Sequence, residues 1–150
     1  MKPFILFVVV SVLSLFALKI LYGRYDLKYS VRIGMSIMLL FTALGHFLFP
    51  DGMAMMIPEF IPFKKELIYF TAIIEIVGAI GLHIPQFRLL TSWLLIVFFV
   101  LLLPANIKAS ISHLNYQNGT FDGPGIAYLW FRIPLQILFI LSIYFSSIKK

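Results

Sequence analysis

Apolar residues fall in long unbroken runs along this chain, and short clusters of charge, proline and glycine separate the runs. A helix crosses the hydrocarbon of a bilayer with roughly 17 to 25 apolar residues, because each residue rises only about 1.5 Å. Five stretches meet or approach that length: 3–22, 33–49, 67–84, 89–110 and 126–148. The first carries no charge until Lys19, and it reads as a retained helix. Its apolar run is long for a signal peptide, Lys2 is a thin basic flank, and Ala17-Leu18-Lys19 lacks a small-x-small cleavage pattern. Pro50-Asp51-Gly52 closes the second run and Pro85 the third, while Pro104 and Pro134 lie inside the fourth and fifth. Residues 53–63 are apolar but broken by Pro58 and Pro62, too short to span; the pattern predicts an interfacial or re-entrant segment within 50–66. The longest polar stretch, 113–125, is a connection.

Composition agrees with lipid as the outer solvent. Of 150 residues, 61% are hydrophobic and 12% charged, whereas a soluble domain is roughly 45 to 50% apolar and about 25% charged. The net charge of +6 does not point to nucleic acid, because the basic residues sit mostly in connections between the runs. Lys19, Arg24, Lys28, Arg32, Arg88, Lys149 and Lys150 fall on one side of a five-helix arrangement, and Lys2, Lys64, Lys65 and Lys108 on the other. The positive-inside rule then predicts a multi-pass protein of the cell membrane, N-terminus outside and C-terminus in the cytoplasm. The absence of cysteine excludes disulfides, thiolate metal sites and thiol relays within the chain.

Of the charges within the apolar runs, Glu75 and Arg132 are the two that matter. A charge at a helix centre costs about 2.5 to 3.5 kcal/mol on insertion scales, so each needs a partner or a wet cavity. Counted from the ends of their runs, Glu75 lies roughly 12 Å deep and Arg132 roughly 9 Å. The two are expected to pair if their helices are neighbours. Thr71, Glu75, Gly78 and Leu82 share one stripe of the third run, and Tyr128, Arg132 and Gln136 form a polar stripe on the fifth. Thr42 and His46, four apart beside Gly45, and Asn106, after Pro104, reach the same outer half of the bundle.

His46, Glu75, Asn106, Arg132 and Gln136 are therefore the candidate site. Two readings stay open: interhelical glue, or a polar pocket for a small or lipophilic molecule with Glu75 as acid or base and Arg132 as an anion or carbonyl clamp. His83 reads as an interfacial residue and His113 as a loop residue. A two-histidine haem would need His46 and His113 at one depth, which the loop position of His113 opposes. Asp51, Glu59, Glu66 and Asp122 are scattered without metal-ligand spacing.

Several segments occur in an order and spacing that resemble DoxX-like membrane proteins: Gly45-His46-Phe47, Ile57-Pro58 through Ile61-Pro62, Thr71-Ala72-Ile73-Ile74-Glu75-Ile76, Pro104-Ala105-Asn106 and Arg132-Ile133-Pro134-Leu135-Gln136. The likeness covers about residues 31–148; Ala72 stands where members often carry glycine. It implies an all-α membrane protein with a four-helix DoxX-like bundle over 31–150, preceded by an additional transmembrane helix and cytoplasmic connection over 1–30. It also implies a non-catalytic subunit or assembly partner of a membrane complex, with a membrane protein or a second copy as partner. The alternative is a quinone-linked redox component or an enzyme acting on a small lipophilic substrate. No resident cofactor is evident from the residues, and a quinone is the one the resemblance brings in.

Overall fold

A computed structural model describes residues 2–149 as helices joined by short connections. In chain order they are α1 (Lys2–Tyr22), α2 (Leu27–Leu48), the short α3 (Pro50–Ala54), α4 (Lys64–Gly81), α5 (Arg88–Ile111) and α6 (Ala127–Ile143). The last continues as a π-wound turn, Tyr144–Ile148. Among the described residues, four helices are long and apolar enough to cross a membrane: α1, α2, α5 and α6 with its π-wound end. These helices are compatible with a multi-pass membrane protein. The third run is the exception: α4 has 18 residues, of which Lys64, Lys65, Glu66 and Glu75 are charged.

Helix ends differ from the apolar runs for physical reasons. α2 begins at Leu27 rather than at 33, because the Asp26 carboxylate caps it by accepting from the Tyr29 backbone N–H at 2.9 Å. The cap brings Lys28 and Arg32 into the helix, where long stems can lie along apolar neighbours and carry the charge to the end. α4 likewise begins at Lys64, three residues before its apolar run.

α2 is the central element. It packs on α1, α4 and α6, while α5 packs on α4 and α6, so α4 and α6 stand across the bundle from each other. α1 crosses α2 at Gly34, where any Cβ would run into the Ser11 side chain and the Phe7 carbonyl. It also leans on α6 through edge-to-face pairs, Phe4 with Phe131 and Phe7 with Phe139. α4 and α5 close on each other where Gly78 faces Leu95 and Gly81 faces Thr91. Met35, Met38, Leu39, Leu82, Leu95, Phe99 and Ile143 fill the interior, and the outward faces carry exposed apolar side chains such as Ile73, Val77, Leu94 and Leu101.

The His46 end of the bundle is covered by two connections locked together. After α3 the chain turns back with Ile57 buried and Phe60 and Phe63 exposed, and Lys108 Nζ donates to the Ile57 carbonyl at 2.7 Å. The other connection folds on itself: Asn115 and Thr120 form an antiparallel bridge, and the Gly123 N–H donates to the His113 carbonyl. Gly52 lies directly against the Tyr116 backbone, a contact open only to a residue without a Cβ. At the opposite end Lys28 Nζ donates to the Lys149 carbonyl at 2.8 Å, so the chain's last described turn meets the start of α2 among the basic residues. Lys150 lies outside the described residues.

Candidate functional site

The polar residues of α2 and α4 meet as an antiparallel ladder. At one end the Ser36 hydroxyl donates to the Ala79 carbonyl at 2.9 Å, so its contact with His83 Nε2 at 3.0 Å requires the ring to donate. In the middle Thr42 stands beside Glu75. At the other end His46 Nδ1 lies 2.8 Å from Thr71 Oγ1 and 3.1 Å from the Ile68 carbonyl, and Phe47 stacks on Tyr69. Ser36, Leu39, Ala43 and His46 share one buried helical face, and the small Ser36 and Ala43 on it let α4 approach closely.

Hydrogen counting fixes what the end of the ladder can do. Thr71 has one hydroxyl proton and donates it to the Ile68 carbonyl at 2.7 Å. With that proton committed, His46 Nδ1 carries the hydrogen and Nε2 turns a lone pair toward Glu75 Oε2, 3.6 Å away. Two facing acceptors repel inside a low-dielectric interior, and one proton between them removes the repulsion. His46 and Glu75 thus form a pair suited to holding a single proton. Glu75 is 3% exposed, and its Oε2 has no hydrogen-bond partner.

The expected ion pair between Glu75 and Arg132 does not form. Their helices are diagonal, with α2 and α5 between them. The depths also differ. The contacts of Gly78 with Leu95 and of Gly81 with Thr91 place Glu75 level with Phe98, and Gln136 Nε2 donates to the neighbouring Phe99 carbonyl. Glu75 is therefore level with Gln136, and Arg132 sits one turn nearer the covered end, about 6 Å by helical rise. Arg132 remains within electrostatic reach of Glu75 and of Tyr116. Counting depth from 67 hid the offset, because α4 starts at Lys64.

The five candidates thus divide into two groups. His46 and Glu75 meet on the α2–α4 side; Gln136 and Asn106 are buried on the α5–α6 side, with Arg132 half-buried nearby. Ser110, one turn beyond Asn106, was not singled out by sequence, yet its hydroxyl is sealed without a partner, as is Gln136 Oε1. Ser36 and His83 were also missed as ladder members, although the stripe from Ser36 to His46 was readable. Two open clefts lie at the bundle's ends. One is lined by Leu18, Tyr22, Arg24, Asp26 and Tyr29, the other by segments 48–52 and 116–119. Neither is lined by the five candidates. Among the described residues no three His, Asp or Glu side chains group closely enough to hold a metal ion. In the covering loop, burial pushes the Tyr116 phenol up, and a hydrogen bond from the Thr120 hydroxyl holds the Asp122 carboxyl below its usual range.

Fold and site together define an all-helical protein with four helices long and apolar enough to span a membrane, organised on a polar seam between α2 and α4. The chain belongs to the family described as Domain of unknown function (DUF8561), whose model matches residues 35–146. No curated protein and no solved structure matches the chain. The family match contains all five candidate residues and leaves out α1 and the first eight residues of α2.

Proposed function

We propose that this protein is a non-catalytic subunit or assembly partner of a membrane complex, of the DoxX-like kind its motifs resemble. One observation carries the reading: at both ends of the seam the polar side chains, Ser36 with His83 and His46 with Thr71, are spent on one another and on backbone carbonyls, which is how helices are held in register rather than how a substrate is received. The helical hairpins would place the end bearing Lys19, Arg24, Lys28, Arg32 and Arg88 in the cytoplasm of the cell membrane, with α4 crossing beside the four apolar helices. The segment around Phe60 and Phe63, both largely exposed, would lie in the opposite interface. Crosslinking in native membranes followed by mass spectrometry tests the proposal. A stoichiometric partner, either a second membrane protein or a second copy, is expected. A chain that crosslinks to nothing and migrates as a monomer in mild detergent overturns it.

The second reading is a quinone-linked redox component or an enzyme on a small lipophilic substrate. Its lipophilic-substrate form is favoured by the sealed oxygens without partners, Glu75 Oε2, Gln136 Oε1 and Ser110 Oγ. The two carboxyl and amide oxygens would welcome a donor, so a quinone, whose carbonyls only accept, fits them poorly and a hydroxyl-bearing lipid fits better. Native mass spectrometry from lipid nanodiscs would reveal a retained small molecule; a bare protein mass would end this reading.

A further inference from the structure

The basic end of the bundle contains an arrangement that topology alone does not require. Arg32, in the second turn of α2, places its guanidinium carbon 5.4 Å from the centroid of the Tyr29 ring. The His83 ring meets the same Tyr29 ring edge-on at 5.8 Å. Arg88, the first residue of α5, turns back so that its Nε donates to the Leu82 carbonyl at 3.3 Å, beside His83. Both arginines lie within electrostatic reach of His83 and of each other. The positive end of the 24-residue α5 dipole adds to the same field.

Little in the described chain neutralises this cluster. Neither guanidinium makes an ion pair with a carboxylate among the described residues, and Arg32 Nε is sealed without a hydrogen-bond partner. Asp26 is the one acid within reach of Arg32, and it already serves as the cap of α2. Residues that merely orient a helix can do so from its exposed surface, as Lys19 and Lys28 do. Half-burying two arginines beside one another is costly unless an anion completes them. Arginine's planar fork matches phosphate oxygens two at a time, and the open cleft lined by Arg24, Asp26 and Tyr29 adjoins the cluster.

We propose that Arg32 and Arg88, walled by Tyr29 and His83, form a binding site for a phosphate group at this end of the bundle. The group would be the phosphodiester of an anionic phospholipid or a free phosphate, which share this chemistry.

The test uses the full chain in two arms. In the first, the protein is drawn from nanodiscs of equal phosphatidylglycerol and phosphatidylcholine, and the retained lipid is read by native mass spectrometry. A preference for phosphatidylglycerol of roughly thirtyfold is expected from two basic contacts near a membrane surface. It should vanish in Arg32→Gln/Arg88→Gln and persist in Lys64→Gln/Lys65→Gln at the other end. In the second arm, detergent-solubilised protein is melted with inorganic phosphate against chloride at equal ionic strength. A rise in melting temperature that the arginine variant lacks assigns the site to free phosphate; a response to lipid alone assigns it to the headgroup. If the double variant does not fold, Arg88→Gln alone should weaken the response. No response to either probe, or one that survives the arginine substitutions, overturns the proposal.

Discussion

Replacing Glu75 by glutamine and by leucine separates a shared proton from a simple packing contact. Hydrogen counting leaves His46 Nε2 with a lone pair facing Glu75 at 3.6 Å. A glutamine amide can donate to that lone pair, keeping an interhelical hydrogen bond and no net charge. Leucine fills similar space but leaves the ring nitrogen buried and unpaired. Interhelical hydrogen bonds between membrane helices average about 0.6 kcal/mol and reach about 1.7, and a stranded buried acceptor costs about 1 to 3 kcal/mol. Glu75→Leu should therefore destabilise by about 1 to 2 kcal/mol and Glu75→Gln by under about 0.5. Reversible unfolding in mixed micelles titrated with sodium dodecyl sulfate measures both. His46→Leu completes a double-mutant cycle, in which the double variant should cost less than the sum of the singles by about 0.6 to 1.7 kcal/mol. The reasoning is refuted if glutamine is as damaging as leucine, or if the two sites prove additive.

Two further outcomes follow from the ends of the bundle. Gly52→Ala would drive a Cβ into the Tyr116 backbone, which cannot swing aside as a side chain would; about 1 to 3 kcal/mol of destabilisation and faster proteolysis within 113–125 are expected, and wild-type resistance to protease would count against the locked cover. At the other end, burial and then the charges of Arg32 and Arg88 hold the His83 imidazole below its ordinary value of 6.5. The unfolded chain thus binds the proton first, so stability is full above about pH 6.5 and falls as pH drops from there toward the folded value. Melting curves across pH 7.5 to 5 (roughly the imidazole range) should show that loss in wild type and a flatter profile in His83→Gln, with Tyr29, Ser36 and both arginines unchanged around the site. Equal slopes would remove His83 as the cause.

The helical architecture was legible because apolar runs of spanning length admit few other solutions in lipid. What escaped was set by helix ends and by who neighbours whom. Asp26 was legible as a residue but not as the cap that draws Lys28 and Arg32 into α2. The three residues by which α4 extends before Leu67 shift Glu75 off the level of Arg132. Opposite charges at matching depth are a sound reason to expect a pair, yet only tertiary packing decides that α4 and α6 are diagonal. His46 and Glu75 were both singled out, from different helices, and the structure brings them together through a partner relation that the spacing within either helix does not contain. The contact of Gly52 with Tyr116 joins segments far apart in sequence and left no local signal.

α1 offers the last step, because its attachment and the seam lie on separate parts of α2. The α1 crossing is at Gly34, just before the family match begins at Met35, while the seam uses Ser36, Thr42 and His46. Phe7 is the one buried residue of α1 among those described, so losing the helix removes chiefly that side chain from the core. α2 also carries Lys28 and Arg32 at its start, charges able to orient it without a preceding span. Deleting residues 2–22 should therefore leave α2 and α4 in register, less stable by about 3 to 5 kcal/mol from the missing phenylalanine. The chain has no cysteine, so Phe47→Cys with Tyr69→Cys reports on register alone, at the point where the two rings stack 5.8 Å apart. Oxidative crosslinking of that pair should proceed in the shortened protein as in the full one. If it is lost while the shortened protein still inserts, α1 shapes the seam itself, and the family's boundary does not mark an independent core.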